Sequence, residues 1–196
     1  MVSVHANINW SIWMNKKGES MKKTLFAIIT TLTFAVTASA ENLIVYFSTT
    51  GNTQKVAETI QNISGGDIYR IEPVVAYPDD YTSKTQIAKQ EQADNARPKY
   101  KEMDIDMSKY DTVFVGYPIW WGIMPMIVYS FFDDYDMSSK TIMPFTTSGG
   151  SGAGDTQSRI QELEPNAKVF DVLHFYASEM ANDQTESVKA WIDKNK

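Results

Sequence analysis

Five short apolar runs recur along this chain, most of them followed by a stretch with helical periodicity. Leu43-Ile44-Val45-Tyr46-Phe47 is unbroken and rich in strand-forming side chains. Ser-Thr-Thr-Gly-Asn follows it, so the run predicts a strand buried on both faces. Over residues 53–63, Val56, Ala57, Ile60 and Ile63 share one helical face, and Ser64-Gly65-Gly66 stops that helix. Ile68 to Ile71 alternates as a short second strand. Residues 72–111 are polar and long for a connection, and 81–95 within them fits an exposed helix. Thr112 to Gly116 reads as a third strand. Pro125 suits the first position of a helix whose body, 126–132, is apolar nearly all round. Thr141 to Phe145 is a fourth strand, 155–163 a short helix capped by Asp155, and Val169 to Tyr176 a fifth strand. A last helix over 185–195 places Val188, Trp191 and Ile192 at i, i+3 and i+4. Strand and helix alternating five times predict one α/β domain: a doubly wound, five-stranded parallel sheet with helices on both faces. Ligands of such sheets sit beyond the carboxyl ends of the strands.

The first forty residues stand outside this pattern. Met21-Lys22-Lys23 is a short basic start, 25–36 is mostly apolar, and Ala38-Ser39-Ala40 ends the stretch with small residues. That is the build of a secretory signal peptide cleaved after Ala40. The run falls short of the roughly 20 apolar residues of a membrane span. Residues 1–20 fit neither reading, and a start at Met21 instead of Met1 would account for them. The expected organisation is an N-terminal extension with a signal peptide (21–40), then a folded domain over 41–196. The mature chain has no expected membrane span and is expected outside the cytoplasm, in the periplasm or secreted.

Composition narrows the chemistry. The whole chain carries a net charge of −6, and residues 41–196 carry −9, which argues against a nucleic-acid partner and for partners with a basic face. Cysteine is absent, which removes disulfides, thiolate metal sites, iron–sulfur clusters and a Cys nucleophile. His5 and His174 are the two histidines, too few for a His-based metal centre or triad. No metal ligands and no catalytic residue are assigned; a lone histidine in a strand, like His174, is more often structural, and Arg159 gives no stronger signal.

Three loops at strand ends carry the functional argument. Ser48-Thr49-Thr50-Gly51-Asn52-Thr53 brings hydroxyls, an amide and free backbone N–H groups to a helix N-terminus, a natural place for a phosphate. It lacks the spacing of a P-loop or of G-x-G-x-x-G, and by itself it could equally be a well-capped helix start. Pro118-Ile119-Trp120-Trp121-Gly122 follows the third strand; its indoles suit a flat aromatic ligand, or else pin the loop to the core. Ser148-Gly149-Gly150-Ser151-Gly152, after the fourth strand, offers bare amides to a ligand edge, or is a flexible connection.

Taken together, Ile44 to Thr53 with Ala57 and Ile60, Gly116 to Gly122, and Thr147 to Gly152 resemble the three flavin loops of the flavodoxin family, in particular an exported bacterial subfamily. The resemblance covers about residues 42–195. It implies the strand order 2-1-3-4-5 and FMN as cofactor. By the resemblance, Ser48, Thr49, Thr50, Gly51, Asn52 and Thr53 would hold the phosphate. Pro118, Ile119, Trp120, Trp121 and Gly122 would lie on the isoalloxazine, with Trp120 stacked on it. Ser148, Gly149, Gly150, Ser151 and Gly152 would meet its pyrimidine end. Residues 146–154 lack the aromatic that usually covers the outer ring face in better-known flavodoxins. Tyr77 or Tyr81 would then cover that face, or it is open to a small substrate.

The resemblance implies an FMN-binding electron-transfer protein shuttling single electrons between redox partners. The alternative is an FMN-dependent NAD(P)H:quinone-type oxidoreductase, which the open face would permit. A receiver-type signalling domain on the same fold would need acidic residues at the end of the first strand, where this chain has Ser-Thr-Thr-Gly. The leader reading has a direct check. N-terminal sequencing of protein from the native host is expected to start at Glu41, and cytoplasmic protein beginning at Met1 or Met21 would overturn it.

Overall fold

The computed structural model describes residues 41–195; the expected signal peptide and the extension before it lie outside the described residues. The elements run β1 (Glu41–Tyr46), α1 (Asn52–Ser64), β2 (Asp67–Arg70), α2 (Tyr81–Ala93), β3 (Tyr110–Pro118), α3 (Met126–Asp134), β4 (Thr141–Ser148), α4 (Thr156–Leu163), β5 (Lys168–Val169), β6 (Leu173–Tyr176) and α5 (Thr185–Lys194). All strand pairings are parallel, in the order β2-β1-β3-β4-β5, with β6 also beside β4. This is the doubly wound parallel sheet that the alternation of runs predicts, in the order that the flavodoxin resemblance implies.

The period of two along the strands sorts the core into two layers. Leu43, Val45 and Phe47 join Val113, Val115 and Ile142 on one face, under Ile127, Val128 and Phe131 of α3 and Ile160 of α4. Ile44, Tyr46, Phe114, Met143 and Phe145 form the other face, under Val56, Ala57 and Ile60 of α1 and Val188, Trp191 and Ile192 of α5. Burial on both faces is why β1 reads as a continuous apolar run and not as an alternation.

Two local expectations are corrected. The strand expected over Val169 to Tyr176 is two segments. β5 pairs with Thr141 and Ile142 of β4, β6 pairs with Phe145 to Ser148, and residues 170–172 lie between them. Ile142 accepts a hydrogen bond from Phe170 N–H at 3.0 Å, so the backbone groups of residue 144, two positions on, face the same side. Residue 144 is Pro and has no N–H to give there, and the neighbouring strand breaks opposite it. Asp155 stands at the N-cap of α4 but makes no side-chain cap bond; its carboxylate instead takes Arg159 at 3.1 Å, one turn along.

β3 and β4 approach closely where Gly116 faces Phe145 across the ladder. A Cβ on Gly116 would fall 2.1 Å from the Phe145 ring, inside van der Waals contact. Gly116→Ala is therefore expected to lower the unfolding free energy by about 1–3 kcal/mol, the usual cost of overpacking, as measured by urea denaturation. An unchanged midpoint would mean that the ring has room to move.

Candidate functional site

All three expected loops leave the carboxyl ends of β1, β3 and β4, and the parallel register sets those ends side by side. Tyr46 pairs with Gly116, and Pro118 with Thr147. Thr53, at the start of α1 and almost wholly buried, shares a 2.9 Å hydrogen bond between its Oγ1 and that of Thr147. That contact ties the first loop to the third across 94 residues of chain.

The first loop is stiffened from within. Gly51 N–H donates to Ser48 Oγ at 3.1 Å, and Arg70 at the end of β2 donates through Nη2 to the Ser48 carbonyl at 3.0 Å. Gly51 is the N-cap, at φ 85°, and no side chain caps the helix. The capped-start alternative thus loses its capping side chain. The first helical backbone bond runs from Lys55 N–H to the Gly51 carbonyl, so the N–H groups of Asn52, Thr53 and Gln54 have no acceptor within the helix.

The second loop is a tight hairpin. Trp120 and Ile123 exchange both backbone bonds, at 2.9 and 3.1 Å, leaving Trp121 and Gly122 as a two-residue turn. Both have positive φ, 50° and 83°, as the mirror-image hairpin turn requires. A tryptophan in that region is unusual, and it is held from outside. Trp121 Nε1–H donates to the Thr85 carbonyl of α2 at 2.8 Å, and Lys89 Nζ lies 5.3 Å from the ring centre. Trp121 is 54% exposed at the turn tip. Trp120 is packed edge-on against Phe47 and Tyr77, with ring centres 5.4 and 5.1 Å away.

Between these loops lies a cleft of about 670 Å³, within the usual size of a cofactor site. Thr49, Thr50 and Asn52 line it from the first loop, Pro118 to Gly122 from the second, and Ser148 to Ser151 from the third. Ser48, Gly51 and Thr53 stand behind that wall and hold the loop's shape. Gly152 is likewise not on the wall. The sequence reading missed the fourth side. Lys84, Thr85 and Ala88 of α2 line the cleft together with Tyr81, already a candidate cover. Among the described residues Lys84 is the one charged side chain on the wall, and the sequence signal for it was only a position on a polar helix. Tyr77 does not reach the wall: its hydroxyl donates to Glu91 Oε2 at 2.9 Å, and burial beside that carboxylate pushes its pKa up. Tyr81, 81% exposed, remains as the aromatic at the open rim.

Behind the third loop, His174 of β6 bridges two β4 hydroxyls. Nδ1 lies 2.8 Å from Thr146 Oγ1, and Nε2 3.2 Å from Ser148 Oγ. Burial lowers its pKa, with a smaller opposing pull from Glu179. Among the described residues, no group of acidic or His side chains could hold a metal ion, and no helix is long and apolar enough to cross a membrane.

Comparison with known proteins agrees with this architecture. Residues 41–195 match the flavodoxin family. A candidate flavoprotein from Bacteroides eggerthii is 31% identical, over 80% of this chain and 98% of its own, with a TM-score of 0.70. A second, from Bacteroides uniformis, is 29% identical over 79% and 98%, again at 0.70. A flavoprotein from Lactobacillus acidophilus, solved in complex with FMN, is 24% identical over 79% and 99%, at 0.64. No curated protein matches. The chain belongs to the flavodoxin family. Its fold is that of an FMN-binding flavoprotein, and FMN is the cofactor that membership assigns.

The link between the first and third loops has a simple check. Thr53→Val keeps the side chain's shape but leaves Thr147 Oγ1 buried without its partner. The expected loss is about 1–3 kcal/mol of stability in urea denaturation. No loss would show that the two loops are held together by other contacts.

Proposed function

We propose that this chain holds FMN in the cleft between the three loops and carries single electrons between protein partners outside the cytoplasm. The observation that supports the reading most is the convergence of all three loops on one cleft at the strand ends of a flavodoxin-family domain. The donor set fits the group. Thr49, Thr50, Asn52 and the open N–H groups of α1 suit a phosphate; Pro118 to Gly122 give a flat aromatic and backbone wall; Ser148 to Ser151 offer a polar rim to the pyrimidine end. When bound, FMN supplies one-electron redox chemistry.

The residues bind, orient and shield. Neutral donors would hold the phosphate, with Arg70 engaged on the Ser48 carbonyl and Lys84 a cation on the wall. Trp120, fixed by Phe47 and Tyr77, would cover one side of the ring, and Trp121 would close its edge from the turn tip. The net charge of −9 on residues 41–196 favours a partner with a basic docking face. The leader pattern before Glu41 supports export.

Three measurements test this reading. Purified protein should bind FMN with a shifted visible spectrum, and riboflavin, which lacks the phosphate, should bind much more weakly. Trp120→Ala and Trp121→Ala should each weaken FMN binding roughly two- to tenfold in a flavin fluorescence titration. Equal affinity for FMN and riboflavin, or unchanged binding in both Trp variants, would remove the flavin from this cleft. Steady NAD(P)H oxidation with a quinone by the pure flavin-loaded protein would instead identify a turnover enzyme, consistent with a rim covered only by the exposed Tyr81.

A further inference from the structure

The bridge behind the third loop has one consistent arrangement of protons. Thr146 is fully buried, and His174 Nδ1 is its hydroxyl's one partner among the described residues. A buried hydroxyl proton without an acceptor is costly, so the Thr146 O–H donates and Nδ1 accepts. The neutral ring then carries its proton on Nε2, which donates to Ser148 Oγ. Ser148 has accepted from His174, so its own proton is left for a second partner. Ser148 lines the cleft, and the ring is its hydroxyl's one hydrogen-bond partner among the described residues.

We propose that His174 is a positioning residue: by donating from Nε2 to Ser148 Oγ it turns the Ser148 hydroxyl into a fixed donor aimed at an acceptor atom of the bound flavin's pyrimidine end. This rests on the proposed placement of FMN in the cleft. The other tautomer would consume the Ser148 proton and leave the Thr146 proton stranded in the core. Full protonation would strand it as well, in the same direction as the effect of burial on this ring. Few groups around His174 can disturb the arrangement. Among the described residues, β4 offers it the Thr146 and Ser148 hydroxyls, its own strand offers the Tyr176 ring edge at 5.0 Å, and Glu179 of the following 3-10 turn is the charge that acts on it. The register holds the bridge in place, because Thr146 pairs with His174 and Ser148 with Tyr176 along β4 and β6.

The first test is nitrogen-15 NMR of the imidazole in the full-length wild-type protein at neutral pH, with and without FMN. The chain has only two histidines, so the spectrum of the H174Q chain assigns the His174 signals. A proton on Nε2 is the expected result, and a proton on Nδ1 overturns the proposal.

The second test is a double-mutant cycle read by FMN dissociation constants. Ser148→Ala should weaken FMN binding roughly two- to tenfold, and His174→Leu by a similar factor. The double variant should be no weaker than either single one, because both remove the same donor. His174→Gln carries an acceptor and a donor side by side and should bind FMN within about threefold of wild type, the spread of ordinary surface changes. Losses that simply multiply, or a His174→Leu chain that binds FMN as wild type does, overturn the role of His174 and leave the cleft assignment standing. If Ser148→Ala itself binds FMN normally, the Ser148 hydroxyl is not a donor to the flavin and the proposal falls, while the cleft assignment, tested by the riboflavin and Trp comparisons, stands.

Discussion

Burial of the sheet on both faces is the constraint from which the functional end follows. With α3 and α4 on one side and α1 and α5 on the other, the central strands β1, β3 and β4 have no polar face to turn to water. Their polar side chains and unpaired amides are confined to the ends. β4 shows the transition within a single strand: Ile142, Met143 and Phe145 are core, and Thr146, Thr147 and Ser148, still buried, begin the polar end. Each of the three hydroxyls is used inside the protein. Thr147 reaches α1, while Thr146 and Ser148 reach His174. The cleft is therefore lined by groups whose supports lie in the rigid sheet, within which Gly116 leaves the room that the Phe145 ring occupies.

The fourth wall has a different origin. α2 buries little beyond Ala88, and Asp80 starts it by accepting the Ser83 N–H at 2.8 Å. It is tied to the second loop by the bond from Trp121 to the Thr85 carbonyl and by Lys89 over the Trp121 ring. A helix so weakly packed is drawn from the less stable end of the structure. The strained Trp121 turn and this helix support each other, whereas Trp120 belongs to the packed aromatic group with Phe47 and Tyr77. Two adjacent tryptophans thus sit in mechanically different settings: one is fixed to the core and the other to a surface helix.

That difference also marks where the sequence could be read and where it could not. Runs such as Leu43 to Phe47 and Thr112 to Gly116 were legible as strands because double-sided burial writes itself as unbroken apolarity. The three loops were legible because their residue types are unusual after such runs. The break opposite Pro144 was in principle visible, since a proline in a core strand removes a ladder donor. The length of the apolar stretch from Val169 to Tyr176 hid it. Asp155 misled because the same carboxylate that could cap α4 also lies one turn from Arg159. The roles of Lys84 and Thr85 left no trace, since a polar helix reads as polar whatever it covers. His174 and its partners lie 26 and 28 residues apart in sequence, and only the β4–β6 register brings them together.

Charge gives the cleft its character on the proposed function. The wall offers a phosphate hydroxyls, an amide and backbone N–H groups, with Lys84 as its single cation among the described residues, while residues 41–196 carry −9. Negative charge added to a flavin in such a setting is opposed by the surrounding field and is little offset locally, which moves its final reduction to low potential. A donor such as Ser148, oriented by a neutral His174, can still stabilise electron density at the pyrimidine end without adding a cation that would raise that potential. On the same proposal the acidic surface would act at long range, drawing in partners with basic faces less strongly as salt screens it. On the proposed function, the acidic shell would thus serve two tasks, opposing charge on the flavin and selecting partners, while the cleft's local dipoles would adjust the first.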